Sequence, residues 1–195
     1  SSSAYGVDSK VDDSTFGWRF VKPKMASMYG VDGMGVTAEK LVAKYNISRE
    51  DQDTYAFNRQ MKATAAQKKG RLAKEIIPVE IPQRKKDPTI FANDEFIKPN
   101  SSIEVLAKLR PAFKKQGGSV TAGNSSQMSD GAAFVMVMSE EMVKELNLEP
   151  IARVVNYAAA GVAPRIMGIG PVAAIPKVLK QAGLQQSDIE LIELN

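Results

Sequence analysis

The sequence predicts an α/β fold, and three observations carry that prediction. Three mostly apolar runs, Ala132–Met138, Ile151–Ala160 and Ile189–Leu194, have the length and content of strands. Two helical stretches, Glu140–Leu146 and roughly Ala173–Ala182, alternate with them, and alternation of this kind implies a layered α/β sheet. Ahead of Thr121 the chain is instead helical and loop-rich, so a second, differently built part is expected there.

Taken in order, residues 1–32 mix Ser, Asp, Gly and aromatics without sustained periodicity and are expected to be extended or looping, anchored to something larger by Phe16, Trp18 and Phe20. Val36–Tyr45 sets Leu41, Val42 and Tyr45 on one helical face, with Thr37 a candidate N-cap. Ser48-Arg49-Glu50-Asp51 is the clearest local signal. The Ser48 hydroxyl can accept from the third helical N–H while Asp51 reaches back, opening a helix that runs to Lys69 and stops at Gly70. At 1.5 Å per residue that helix is about 30 Å long, and its narrow apolar stripe of Tyr55, Met61, Ala65 and Ala66 marks it as a surface helix.

Glu75–Ile81 alternates as a strand, demoted to an edge or a bulge by Pro78. Arg84–Pro99 reads as a Pro/Asp/Lys-rich connection, and Ser102–Leu109 as a short helix stopped by Pro111. Ala132–Met138 has no polar face and is expected to be a central strand covered on both sides. Ser139 caps the helix that follows it, and Gly183 ends the later one. Three strands and two helices leave sheet edges and apolar faces uncovered, and the chain ends at Asn195 directly after a strand. An excerpt from a longer protein is therefore expected.

Composition narrows the chemistry. The 195 residues are 44% hydrophobic and 25% charged, ordinary for a soluble globular protein. With no Cys and no His, the chain itself holds no disulfide, no thiolate or imidazole metal site, and no nucleophile of the Cys–His or Ser–His kind. No carboxylate spacing of the DxDxDG kind argues for a hard cation, so no metal is expected. No apolar run reaches about 18 residues and no basic segment leads into an apolar one at the N-terminus, so neither a membrane partner nor a signal peptide is expected, and the expected compartment is cytoplasmic. The net charge of +4 gathers at Lys62, Lys68, Lys69, Arg71 and Lys74 and at Arg84, Lys85 and Lys86. These suit either a solvated helix face and a basic loop or an anionic partner. Aromatic residues do not interleave with them as stacking platforms would, so no nucleic acid is expected.

The stretch that most suggests binding is Thr121–Ala133, TAGNSSQMSDGAA. Gly123 and Gly131 add no side chain, and Asn124, Ser125 and Ser126 offer short hydrogen-bonding groups, so a ligand can come close to backbone amides. A tight turn ahead of a strand would have the same composition.

Four ordered segments together resemble the thiolase family: Met34–Glu39 (MGVTAE) with Ser48–Asp53 (SREDQD), Ala107–Phe113 (AKLRPAF), Val120–Ala133 (VTAGNSSQMSDGAA), and Met167–Pro171 (MGIGP) leading to Ile192–Asn195 (IELN). The resemblance covers essentially the whole chain. It implies a thiolase-like layered α/β core with an inserted helical, loop-rich CoA-binding domain. The inserted domain would take residues 1–126, the last strand and helix of the N-terminal core residues 127–149, and the start of the C-terminal core residues 150–195. Thiolases cleave 3-ketoacyl-CoA with CoA, or condense acyl-CoA molecules, through an acyl group carried on a cysteine. The resemblance implies that this cysteine lies upstream of this chain, and the family's histidine and second cysteine downstream.

The same resemblance assigns residues. Asn195 matches the asparagine that opens the family's NEAF motif, whose amide positions a water that helps stabilise an enolate-like oxygen; such an oriented donor is typically worth about 3–4 kcal/mol. Ser126 matches the serine that hydrogen-bonds the pantetheine arm, with Ala122 and Gly123 beside that arm. Leu109, Ala112 and Phe113 would form the apolar wall for the adenine end. Lys98 falls where thiolases often place a basic residue near the nucleotide, and Met34 and Met167 would line the reactive pocket. Val105 departs from a serine found in some relatives. Gly33 stands where short-chain biosynthetic thiolases commonly carry a histidine, and the SSQMSD wording of the binding loop resembles the degradative 3-ketoacyl-CoA branch. The implied partners are acyl-CoA and CoA, with CoA a substrate and no cofactor, in a homodimer or homotetramer. On the residues alone, a standalone CoA-binding or oligomerisation module stays open as the alternative.

Overall fold

In a computed structural model the described residues are 20–195. Phe16 and Trp18 lie outside them, and Phe20 is exposed. The described residues divide into two compact units, Gly33–Met128 and a second that joins residues 20–32 to 129–195.

The Gly33–Met128 unit is built on two helices, α2 and α3. Helix α1, Pro23–Tyr29, belongs to the other unit. Helix α2 spans Met34–Tyr45 and starts two residues ahead of the expected Val36. Gly33, not Thr37, is its N-cap; the Thr37 hydroxyl donates 2.7 Å to the Met34 carbonyl instead. Asn46 closes it at φ 52°, the left-handed conformation that asparagine tolerates. Helix α3 spans Arg49–Lys68 behind the Ser48 cap, and the Ser48 Oγ accepts from the Asp51 N–H at 2.9 Å. Asp51 does reach back, but its carboxylate accepts from the Ser48 hydroxyl, 2.6 Å, and not from the backbone amide. Gly70 then takes φ 68° while Arg71 N–H donates to the Ala66 carbonyl, the paired closure that glycine makes cheap.

Beyond a short turn of 3₁₀ helix at Leu72–Lys74, strands β1 (Val79–Gln83) and β2 (Lys86–Phe91) form an antiparallel hairpin, with Val79 opposite Phe91 and Ile81 opposite Thr89. The first strand begins later than Glu75, and the expected connection after Arg84 contributes the second. Between Ile81 and Gln83 the register slips, because Gln83 faces Lys86. Pro82 and Pro88, neither with an N–H to give a ladder, both fall in that irregularity. Helix α4, Ile103–Ala107, follows, capped by Ser102 Oγ accepting from Val105 N–H at 3.3 Å. It packs on α3.

The interior of this unit is unusually polar. Leu106 and Val120 are its buried apolar side chains, accompanied by buried Thr37, Glu39, Asp53, Thr64, Ser119 and Thr121. Buried polar groups cost stability unless hydrogen-bonded, and all but the Thr64 hydroxyl find partners.

In the other unit, α5 (Glu140–Glu145) carries the expected Ser139 cap, and α6 (Gly170–Ala182) ends at Gly183 with φ 68°. A 3₁₀ segment at Pro164–Ile169 leads into α6, and a second follows at Gln186–Asp188. The three expected strands of this part do not form: residues 132–138, 151–160 and 189–194 carry no ladder. A strand exists only through a hydrogen-bonded neighbour, and among the described residues the one sheet is β1–β2. The expected central strand is accordingly open to solvent, with Phe134 at 103% and Val137 at 79% exposure. No helix among the described residues is long and apolar enough to cross a membrane.

Candidate functional site

The segment Gly118–Gln127 is neither helix nor strand, so its shape depends on side chains. Glu39, projecting from α2, is buried and its carboxylate accepts from the Ser119 N–H at 2.9 Å and the Val120 N–H at 2.8 Å. Four residues beyond Val120, the Asn124 side chain folds the loop over itself. Its Oδ1 accepts from the Thr121 N–H at 2.7 Å and its Nδ2 donates to the Ser119 carbonyl at 3.0 Å. Thr121 is fully buried; its Oγ1 accepts from the Gly123 N–H, 3.1 Å, and its carbonyl from the Ser125 hydroxyl, 2.6 Å. Gln127 Nε2 donates to the Ala122 carbonyl, 3.0 Å. The result is a compact turn with Ala122 and Ser126 on its exposed side.

The apolar wall is joined to this turn. Ala112 N–H donates to the Val120 carbonyl at 2.9 Å, which sets Pro111–Phe113 alongside residues 119–121. Gly123 lies so close to α4 that a Cβ there would come within 2.5 Å of Leu109 Cδ1 and 2.6 Å of Leu106 Cδ2. A Cβ on Gly35 would likewise overlap the Phe113 ring, so the first turn of α2, next to Met34, is in contact with that aromatic. The fold thus brings Leu109, Ala112, Phe113, Ala122 and Gly123 together, with exposed Ser126 at the end of the turn and exposed Met34 at the start of α2.

Lys98 stands on the same unit. Its backbone N–H donates to Gln60 Oε1 at 2.8 Å, and its ammonium lies 5.6 Å from the Phe96 ring centre while donating at 3.4 Å to the Glu95 carbonyl. An exposed ammonium on a loop held to α3 remains available to an anion. Met167 and Asn195 belong to the other unit, Met167 within the 3₁₀ segment and Asn195 exposed. That unit also holds an open cavity of about 480 Å³ lined by Asn156, Tyr157, Ala158, Ala159, Lys177 and Gln181, none of them an expected site residue.

Three residues in this arrangement, Glu39, Arg49 and Asp53, have roles that escape a reading of the sequence, and Asn124, expected there to offer a hydrogen bond to a ligand, folds the loop instead. Arg49 Nε donates to Asp53 Oδ2 at 2.7 Å, and its Nη2 donates to the Leu106 and Leu109 carbonyls at 2.6 and 3.1 Å. A cation there adds a charged donor to the Leu106 carbonyl, which also accepts from the Leu109 N–H, and to the Leu109 carbonyl just beyond α4. Asp53 Oδ1 accepts from Asn124 Nδ2 at 3.0 Å. The signal available in the sequence was the i, i+4 Arg–Asp pair on α3, which an exposed helix face displays equally well.

The family profile "Thiolase, N-terminal domain" matches residues 10–141, and "Thiolase, C-terminal domain" matches residues 148–195. A beta-ketoadipyl-CoA thiolase of Acinetobacter baylyi is 47% identical over 195 residues, 100% of this chain and 48% of the relative. A probable acetyl-CoA acyltransferase of Staphylococcus aureus is 48% identical over 194 residues, 95% of this chain and 49% of the relative. Among solved structures, the Bacillus anthracis acetyl-CoA acetyltransferase superposes with a TM-score of 0.80 at 45% identity, over 85% of this chain and 41% of that one. Human mitochondrial 3-ketoacyl-CoA thiolase gives 0.77 at 45% identity, over 83% and 40%. The chain spans about half the length of the curated relatives it matches. Its fold is a thiolase-like α/β fold, and the chain belongs to the thiolase family.

Proposed function

We propose that these residues serve as the middle portion of a thiolase that cleaves 3-ketoacyl-CoA with CoA, or runs the condensation in reverse, through an acyl-cysteine supplied by the rest of the polypeptide. The observation that carries the reading is the turn Thr121–Ser126 closed against Leu109 and Leu106, within a chain aligned along its whole length with acyltransferases. In this reading the pantetheine arm runs along Ala122 and Gly123, where the missing Cβ lets it approach the backbone, and the exposed Ser126 hydroxyl takes one of its amides. Leu109, Ala112 and Phe113 cover the adenine end, and Lys98 faces a phosphate. Met34 and Met167 line the acyl pocket, and the Asn195 amide orients the water that meets the developing enolate oxygen. Without cysteine or histidine, the 195 residues alone are expected to turn over nothing.

The division into an inserted domain over 1–126, a core strand and helix over 127–149 and a second core from 150, the cytoplasmic compartment and a homodimeric or homotetrameric assembly belong to the same proposal. Thiolysis by the full-length polypeptide, followed as loss of 3-ketoacyl-CoA, tests it. Ser126→Ala should raise KM for CoA roughly five-fold, the worth of one neutral hydrogen bond, with kcat little changed. An unchanged KM would remove Ser126 from the site, and turnover by the 195 residues alone would defeat the division of labour.

A further inference from the structure

Among the described residues, Asp53 contacts the supports of both halves of the proposed CoA surface. It is 2% exposed on α3. One carboxylate oxygen takes Arg49, whose guanidinium holds the Leu106 and Leu109 carbonyls at the apolar wall. Its other oxygen takes Asn124 Nδ2, whose amide shapes the turn at Thr121. An ionised carboxylate only accepts, so both neighbours must point donors at it. That requirement fixes the Asn124 amide with its oxygen toward Thr121 N–H and its nitrogen toward Ser119 O. Neither Asp53 nor Arg49 is among the residues expected to touch CoA.

We infer that Asp53 is a positioning residue that sets the spacing between the wall for the nucleotide end and the turn for the pantetheine arm. The inference rests on the thiolase reading proposed above. A ligand that touches both surfaces gains from their being held at the right separation, as two linked contacts do. A ligand that touches only the turn gains nothing from it. CoA and pantetheine are therefore the discriminating pair, since pantetheine carries the same thiol and arm and no nucleotide.

Replacing Asp53 by asparagine turns one acceptor into a donor, which must then face either Arg49 Nε or Asn124 Nδ2. With full-length enzyme and a fixed 3-ketoacyl-CoA as acyl donor, Asp53→Asn should raise KM for CoA about ten-fold. KM for pantetheine and kcat with pantetheine should each stay within about two-fold. The preference for CoA over pantetheine falls accordingly. If both KM values rise together, or only kcat falls, Asp53 is a stability element and the inference is overturned. Should Asp53→Asn not fold, judged by circular dichroism and thermal melting, Arg49→Lys removes the fork that reaches the Leu106 and Leu109 carbonyls while keeping the Asp53–Asn124 hydrogen bond and the turn. It must reproduce the same loss of preference or the inference falls. A wild-type enzyme with no thiolysis overturns the underlying reading instead, whatever the Asp53 variant does.

Discussion

At Gly123 the absence of a single carbon decides how two segments meet. Leu106 and Leu109 occupy the place a Cβ would take, at 2.6 and 2.5 Å, and Leu106 is itself buried and not free to swing away. Gly123→Ala should therefore destabilise the fold by about 1–3 kcal/mol, as overpacking typically does, read from urea denaturation. The displaced Leu109 should also weaken CoA binding under the proposed function. The same substitution at Gly131 meets nothing within 4 Å and serves as the control. Composition alone treats these two glycines alike; close approach from α4 separates them.

Helix ends were the most legible elements. Ser48, Ser102 and Ser139 each cap a helix by accepting from a backbone N–H, and Gly70 and Gly183 each stop or follow one in the left-handed conformation. All five are written locally, in residues within a turn of one another. The caps also act on charge. The Glu141 carboxyl sits below the ordinary glutamate value because its own backbone N–H and then the Ser139 hydroxyl donate to it. In Glu104 the Ser102 hydroxyl leads and its own backbone N–H follows. A carboxyl whose folded pKa is depressed contributes stability above its unfolded pKa and loses it as pH falls through the folded one. Ser139→Ala should move the Glu141 titration midpoint upward, toward but not fully to the unfolded value, because the backbone donor remains; an NMR pH titration reads this directly. What local pattern could not supply was pairing. Lys86–Phe91 was hidden by Pro88, which suits only an irregular edge. The apolar runs at 132–138 and 189–194 spell strands, yet no described residue gives them a ladder.

For the molecule as a whole, family and fold were legible in the order of several motifs, which a comparison over 195 residues at 47% identity bears out. The candidate site was legible in the residues of the Ala122–Ser126 turn and the Leu109–Phe113 wall, but not in what holds them. Glu39 and Asp53 lie 80 and 71 residues from their loop partners, a separation no local pattern encodes. One consequence concerns motion. Backbone protons that outlast the rest in deuterium exchange normally map to the middle of strands and helices. Here Ser119, Val120 and Thr121, in a stretch with no regular structure, have their N–H groups closed off by the Glu39 and Asn124 side chains. Their exchange should be slowed to the level of central α3, whereas amides of the exposed β1–β2 hairpin exchange early. Equal and rapid exchange in both would show that the loop opens independently of its helices. In this protein a coil would thus open as slowly as the middle of a helix, with a glutamate doing for it what a neighbouring strand does elsewhere.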